Sequence, residues 1–144
     1  MLNLHSTYAP FGQRIAPKNL YRELNKSQVG RETIELIEST NTKVWLDYGE
    51  LPTDSFGNYF LGKANMNTNT ATIYVRGTES IARTAQTIIH EVTHTSLKNP
   101  IYTQREEVIA FMREAKHVKD TLSYGEIRGI IEEVKSLYPN IPYR

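Results

Sequence analysis

The sequence predicts an α+β fold, and three observations predict it. A helix-periodic stretch near residue 30 is followed at once by a β-rich run over 43–48. Two further β-rich runs flank an Asn/Thr tip at 65–70, and everything after Gly77 has helical periodicity. Helix, strands, then three helices is the order of an α+β domain, not of an alternating parallel sheet.

Residues 1–26 carry Pro10, Gly12 and Pro17 without a clean period and read as an irregular lead-in or tether, leaving 27–144 as one domain. Ser27 is an N-cap for a helix to about Ser39, with Val29, Ile34 and Ile37 as its apolar stripe and Gly30 weakening its start. Asn41-Thr42 ends it, and Lys43 to Tyr48 reads as a strand. Gly49 to Asn58, with Pro52 and Gly57, is a loop. Tyr59 to Ala64 and Ala71 to Val75, around the tip Asn65 to Thr70, form a hairpin. Thr78 caps a helix over 79–97, which stops before Asn99-Pro100. Thr103-Gln104-Arg105-Glu106 is a capping box opening a helix to about Lys119. Ser123-Tyr124-Gly125-Glu126 is another, opening a helix striped by Ile127, Ile130, Ile131, Val134, Leu137 and Tyr138.

Composition narrows the function classes. At 144 residues the chain is one domain, and 39% hydrophobic against 23% charged residues is ordinary for a soluble globular protein. The net charge is +1 and neither half is basic, so nucleic acid is a poor expected partner. No run approaches 18 apolar residues, so no membrane span is expected. Residues 1–17 lack an apolar run of signal-peptide length, which predicts a soluble protein, cytoplasmic or secreted, without a leader of its own. The absence of cysteine excludes a disulfide scaffold, a thiolate nucleophile and a thiolate zinc site.

The chemistry is concentrated in His90-Glu91-Val92-Thr93-His94. Histidines four apart lie on one helix face a turn apart, so their imidazoles converge on one metal, and the intervening glutamate is placed to take a proton from its water. At about 100° per residue His94 falls about 40° from His90, and Glu91 about 100°. Ile81, Ala82, Ala85, Ile88, Ile89 and Val92 fall between about 160° and 280°, opposite the histidines. A core-filling pair belongs inside that arc; this pair lies outside it.

A catalytic zinc needs three protein ligands. A third histidine six residues on is excluded, because Leu97 and Pro100 stand where Gly and His are required. A carboxylate on the next helix is the alternative, and Glu106 and Glu107 are both there. The capping box engages Glu106 with the Thr103 amide, which favours Glu107. Small Ala110, one turn on, allows close approach of that helix. His117 is an outside candidate that reads better as a surface residue, and His5 as a bland exposed one.

The run Ile88 to His94, followed by Glu107-Val108-Ile109-Ala110-Phe111, resembles the zincin peptidases whose third ligand is a glutamate on the following helix. Within that group, size and the hairpin before the metal helix make the chain similar to the small metallopeptidase toxin domains of bacterial polymorphic toxins. The resemblance covers about residues 59–115. It implies zinc held by His90, His94 and Glu107, with Glu91 as general base in peptide-bond hydrolysis. It also implies a peptide substrate paired along an edge strand, placed here at Ile73-Tyr74-Val75, with the loop Gly49 to Asn58 adding specificity. Delivery into a target cell and an immunity or inhibitor protein over the cleft follow from the toxin likeness. A helper for the developing oxyanion is expected among Tyr74, Tyr102 and Tyr124. The competing readings are a zinc-binding module that acts by protein–protein binding, and a zinc hydrolase of a non-protein substrate.

Overall fold

The computed structural model describes residues 2–10, 14–99 and 101–143; Gly12 and Pro100, invoked above as breakers, lie outside them. Among the described residues six helices accompany one four-stranded sheet, so the fold is α+β. In chain order these are β1 (Leu4–Ser6), α1 (Pro17–Leu24), α2 (Gln28–Thr40), β2 (Lys43–Asp47), β3 (Gly62–Asn65), β4 (Thr70–Tyr74), α3 (Val75–Thr78), α4 (Ile81–Leu97), α5 (Gln104–Val118) and α6 (Tyr124–Leu137).

Leu4–Ser6 and Pro17–Leu24, expected as part of an irregular lead-in, are a strand and a helix. β1 pairs in parallel with β2, and Leu20 and Leu24 of α1 are fully buried. Pro17, which looks like a breaker, stands at the start of α1, where its fixed φ suits a helix and its missing N–H has no partner to lose. Ser27 caps α2 by accepting the Gly30 amide, and Asn41 ends it in the left-handed region at φ 53°. Gly30 has a packing reason: a Cβ there would overlap the Leu24 carbonyl, so its absence lets α1 turn tightly into α2.

The sheet order is β1-β2-β4-β3, with β2 parallel to β4 and β3 antiparallel to it. Val44 and Leu46 of β2 pair with Ala71 and Ile73 of β4, and all four are buried, as alternate residues of strands covered on one face. The expected hairpin is present, its tip turned by Asn65 Oδ1, which accepts the amides of Asn67 and Thr68. Its strands are shorter than expected, and Val75 leaves the sheet to begin α3.

That topology corrects one expectation. Ile73-Tyr74-Val75 is no edge: β4 is bonded on both sides, Ile73 is fully buried, and Val75 is helical. The free edge beside the hairpin belongs to β3.

Glu79, at φ 61°, breaks the chain between α3 and α4, so Ser80 and not Thr78 caps α4 by accepting the Arg83 amide. α4 is the centre of the molecule. Its apolar face lies on β3, β4, α1 and α2, while its other face is covered by α5. Thr84, Ala85 and the run Thr87–Thr95 are consequently buried. α6 lies on α5, with Val134 as its fully buried contact, and its capping box closes as the sequence predicts.

Candidate metal centre

α4 carries His90, Glu91 and His94 into the seam with α5, where their relative exposures are 9%, 7% and 8%. The histidines are therefore buried beneath α5 rather than displayed on a solvated face. Each of the three residues offers a metal-ligand atom within 4.8 Å of the others. α5 adds a closer donor. Glu107 Oε1 lies 2.9 Å from His90 Nε2 and 3.2 Å from His94 Nε2, and the two Nε2 atoms are 3.3 Å apart.

Those separations test whether the donor set fits zinc. Bonds of about 2.0–2.1 Å at tetrahedral angles put ligand atoms about 3.3 Å apart. The three atoms form one face of such a tetrahedron, and two imidazoles with one carboxylate are ligands zinc accepts. Glu91 is different: its Oε1 is 4.0 Å from His90 Nε2, and its Oε2 is buried without a hydrogen-bond partner. A buried carboxylate oxygen left unpaired is costly, and this one stands beside the two histidines.

Charge is managed between the two helices. Burial opposes a charged imidazole at His90, but hydrogen bonding to Glu107 and Glu114 and the field of Glu91 outweigh it and push the pKa up to about 10. Burial likewise opposes charge on His94, and Glu107 and Glu91 still raise it. At Glu107 burial is overcome by the two histidines, which hold the carboxyl down at about 2. Glu91 is raised, chiefly by burial.

Glu107 sits between the histidines, while the capping box expected at Thr103 forms only in part. Thr103 does accept the Glu106 amide at 3.2 Å. The return bond from Glu106 is not made: Glu106 Oε2 lies 3.4 Å from His94 Nδ1, and its Oε1 is buried without a hydrogen-bond partner. On the other ring Glu114 Oε2 lies 3.6 Å from His90 Nδ1. The Phe111 ring meets the His90 ring edge-on at 4.5 Å, and Ala110 is fully buried where the helices pack.

The His/Glu cluster opens into a cleft of about 300 Å3. Phe60, Gly62, Ala64, Met66, Tyr102 and Tyr138 are among the residues that line it. Tyr102 lies near His94, ring centres 5.9 Å apart. Tyr74 is buried in β4 and Tyr124 is 80% exposed on α6, and neither is among the residues that line this cleft. The cleft lining begins at Phe60, beyond the loop Gly49 to Asn58. Tyr138, read from sequence only as part of a stripe, faces the site, and burial with the charges of Glu107, Glu91 and Glu114 keeps its hydroxyl protonated.

The remaining histidines are structural. His117 is no surface residue: its side chain is 3% exposed and bridges Ser27 Oγ at 2.6 Å and Glu23 Oε2 at 2.8 Å, tying α5 to α1 and α2. His5 stacks on Trp45 with ring centres 5.0 Å apart. Glu114 was the signal most open to detection, since it lies seven residues after Glu107 and so on the same helical face.

Compared with known proteins, the chain matches no family model, no curated protein and no solved structure.

Proposed function

We propose that this chain is a zinc-dependent peptidase domain of zincin type, with His90, His94 and Glu107 as ligands and Glu91 as general base. The observation that carries the reading is the convergence of two Nε2 atoms and one Oε1 atom at 2.9–3.3 Å, on two helices, beside a buried carboxylate with an unpaired oxygen. Zinc bound there supplies a Lewis acid and a water acidified to a pKa of about 7.

The protein's own groups do the rest. His90, His94 and Glu107 enter from opposite helices and fix the position of the reacting centre. Glu91 takes one proton from the attacking water and delivers it to the leaving nitrogen, so the water oxygen ends on the carbonyl carbon as the C–N bond breaks. An extended substrate pairs with the free edge of β3, which replaces the β4 segment in that role, and backbone hydrogen bonds there present the scissile bond to the cleft.

Against a metal-binding module without catalysis stands Glu91, which a closed structural site does not need. The toxin likeness extends the proposal to cleavage of one specific protein inside a target cell, with an immunity protein covering the cleft in the producer. Glu91→Gln tests both levels: zinc stays at about one per chain while hydrolysis of an unfolded protein substrate falls at least about 10²-fold. Wild-type activity in Glu91→Gln overturns the peptidase reading. Bacterial growth arrest by wild type, relieved in Glu91→Gln, supports the effector role; unimpaired growth with an active, zinc-loaded wild type removes it.

A further inference from the structure

We propose that Glu106 and Glu114 are the positioning residues of this centre, each holding one histidine with its proton on Nδ1 and its lone pair on Nε2. The proposal rests on the zinc reading above and deepens it.

The geometry is paired. Both Nε2 atoms turn toward Glu107, and both Nδ1 atoms turn toward a different carboxylate of the same helix: Glu106 Oε2 at 3.4 Å from His94, Glu114 Oε2 at 3.6 Å from His90. These distances are slightly beyond a hydrogen bond, and each joins one Nδ1 to one carboxylate oxygen. Both carboxylates are buried, at 3% and 8% exposure, which removes the competing water. Glu106 keeps a buried Oε1 with no hydrogen-bond partner, and its side chain forgoes the cap bond that its sequence position offers. A residue that gives up a local bond to stand beside an imidazole is held there by the fold. Glu114 is steered from outside: Arg83 Nη1, on α4, lies 3.5 Å from its Oε1, leaving Oε2 for the ring.

An imidazole that binds metal through Nε2 must carry its remaining proton on Nδ1, and an acceptor at Nδ1 fixes both tautomer and ring plane. α5 thus supplies the third ligand and both acceptors, so one rigid element sets the whole donor array against α4. Glu106 and Glu107 are adjacent in sequence yet serve opposite ends of the same His94 ring.

The test uses the intact chain and zinc alone. Zinc affinity is measured by competition with a chromogenic chelator, and the Nδ1–H resonances of His90 and His94 by NMR of the zinc-loaded protein. Glu106→Ala and Glu114→Ala should each weaken zinc binding about 10- to 100-fold. Glu106→Ala should expose only the His94 Nδ1–H to solvent exchange, and Glu114→Ala only that of His90. A merely structural role lowers melting temperature without this ring-by-ring selectivity. The Gln variants keep an acceptor and should recover most of the affinity; if an Ala variant does not fold, the shift of one Nδ1–H resonance in its Gln counterpart is the readout. Alanine variants with wild-type affinity and both resonances protected overturn the proposal while leaving the zinc reading intact. Zinc ligation through Nδ1 overturns it too. A wild type that takes up no zinc overturns both.

Discussion

Gly62 is the residue whose substitution should separate catalytic geometry from metal binding. It opens β3, pairs with Ile73 of β4, and faces α4 where Glu91 leaves the helix. Its φ is not positive, so space alone decides what a side chain does there. A Cβ would lie 2.9 Å from Glu91 Cγ, 2.9 Å from the Thr72 carbonyl oxygen and 3.0 Å from Thr87 Cγ2. Carbon atoms rest about 3.5–4.0 Å apart, so each carbon contact must open by about 0.5–1 Å. The Thr72 carbonyl is main chain and Thr87 is buried on α4, so the parts able to yield are Glu91 and the strand itself, which is bonded only to β4.

Gly62→Ala should therefore destabilise by about 1–3 kcal/mol, the range for overpacking a tight site. For a chain of this length that is about 3–10 °C in melting temperature. Displacing Glu91 by close to 1 Å should lower hydrolysis about 10²-fold, well beyond the loss expected from reduced folding. Zinc content should not change, because none of the three atoms nearest the new methyl group belongs to His90, His94 or Glu107. Calorimetry, zinc analysis and hydrolysis of an unfolded protein substrate on one preparation give all three numbers. A variant that melts and hydrolyses like wild type refutes the contact between β3 and Glu91. A variant that also loses zinc refutes the claim that β3 acts through Glu91 alone.

Three more substitutions follow from the same structure. Glu107→Ala removes the donor 2.9 and 3.2 Å from the two Nε2 atoms and should abolish stoichiometric zinc uptake, read by dialysis against zinc and metal analysis. His117→Ala removes two short hydrogen bonds of a buried ring and should cost about 2–4 kcal/mol in denaturant unfolding, with zinc retained. Gly30→Ala drives a methyl group into the Leu24 carbonyl and should cost about 3 kcal/mol or more, with soluble yield falling accordingly.

How much of the fold was legible depended on whether the deciding contact was local. Ser27, Thr103 and Ser123 mark helix starts because a cap is a bond between residues three apart, and all three caps are present. The hairpin was legible for the same reason. β1 was not: three residues are too few for a period, and they become a strand only because β2, some forty residues on, offers its edge. α1 hid behind Pro17, and Ala16 before it provides no side-chain cap, so Leu20 and Leu24 were the only helical sign. The hairpin's orientation was equally hidden. Pairing of β3 with β4 follows from the turn, but which of them faces outward depends on β2 taking the other side of β4.

The site divides along the same line. His90, Glu91 and His94 are neighbours on one helix, so their relation is written in the spacing. Glu107 was reached through an argument about Glu106 that the fold then overrode. The cap bond is worth about 1 kcal/mol and competes with the placement of the Glu106 carboxylate 3.4 Å from the buried His94 ring. With Glu106 3% exposed, no water softens that competition, and the tertiary contact wins. The preference for Glu107 survives because helix geometry puts it about 100° from Glu106, so when one faces His94 Nδ1 the other meets both Nε2 atoms. Glu114 continues that face two turns along α5, which is why a helix with three carboxylates can surround two imidazoles without a loop residue. The placement of any one of the three depends on the crossing of α4 and α5, and no window of sequence shorter than both helices contains it.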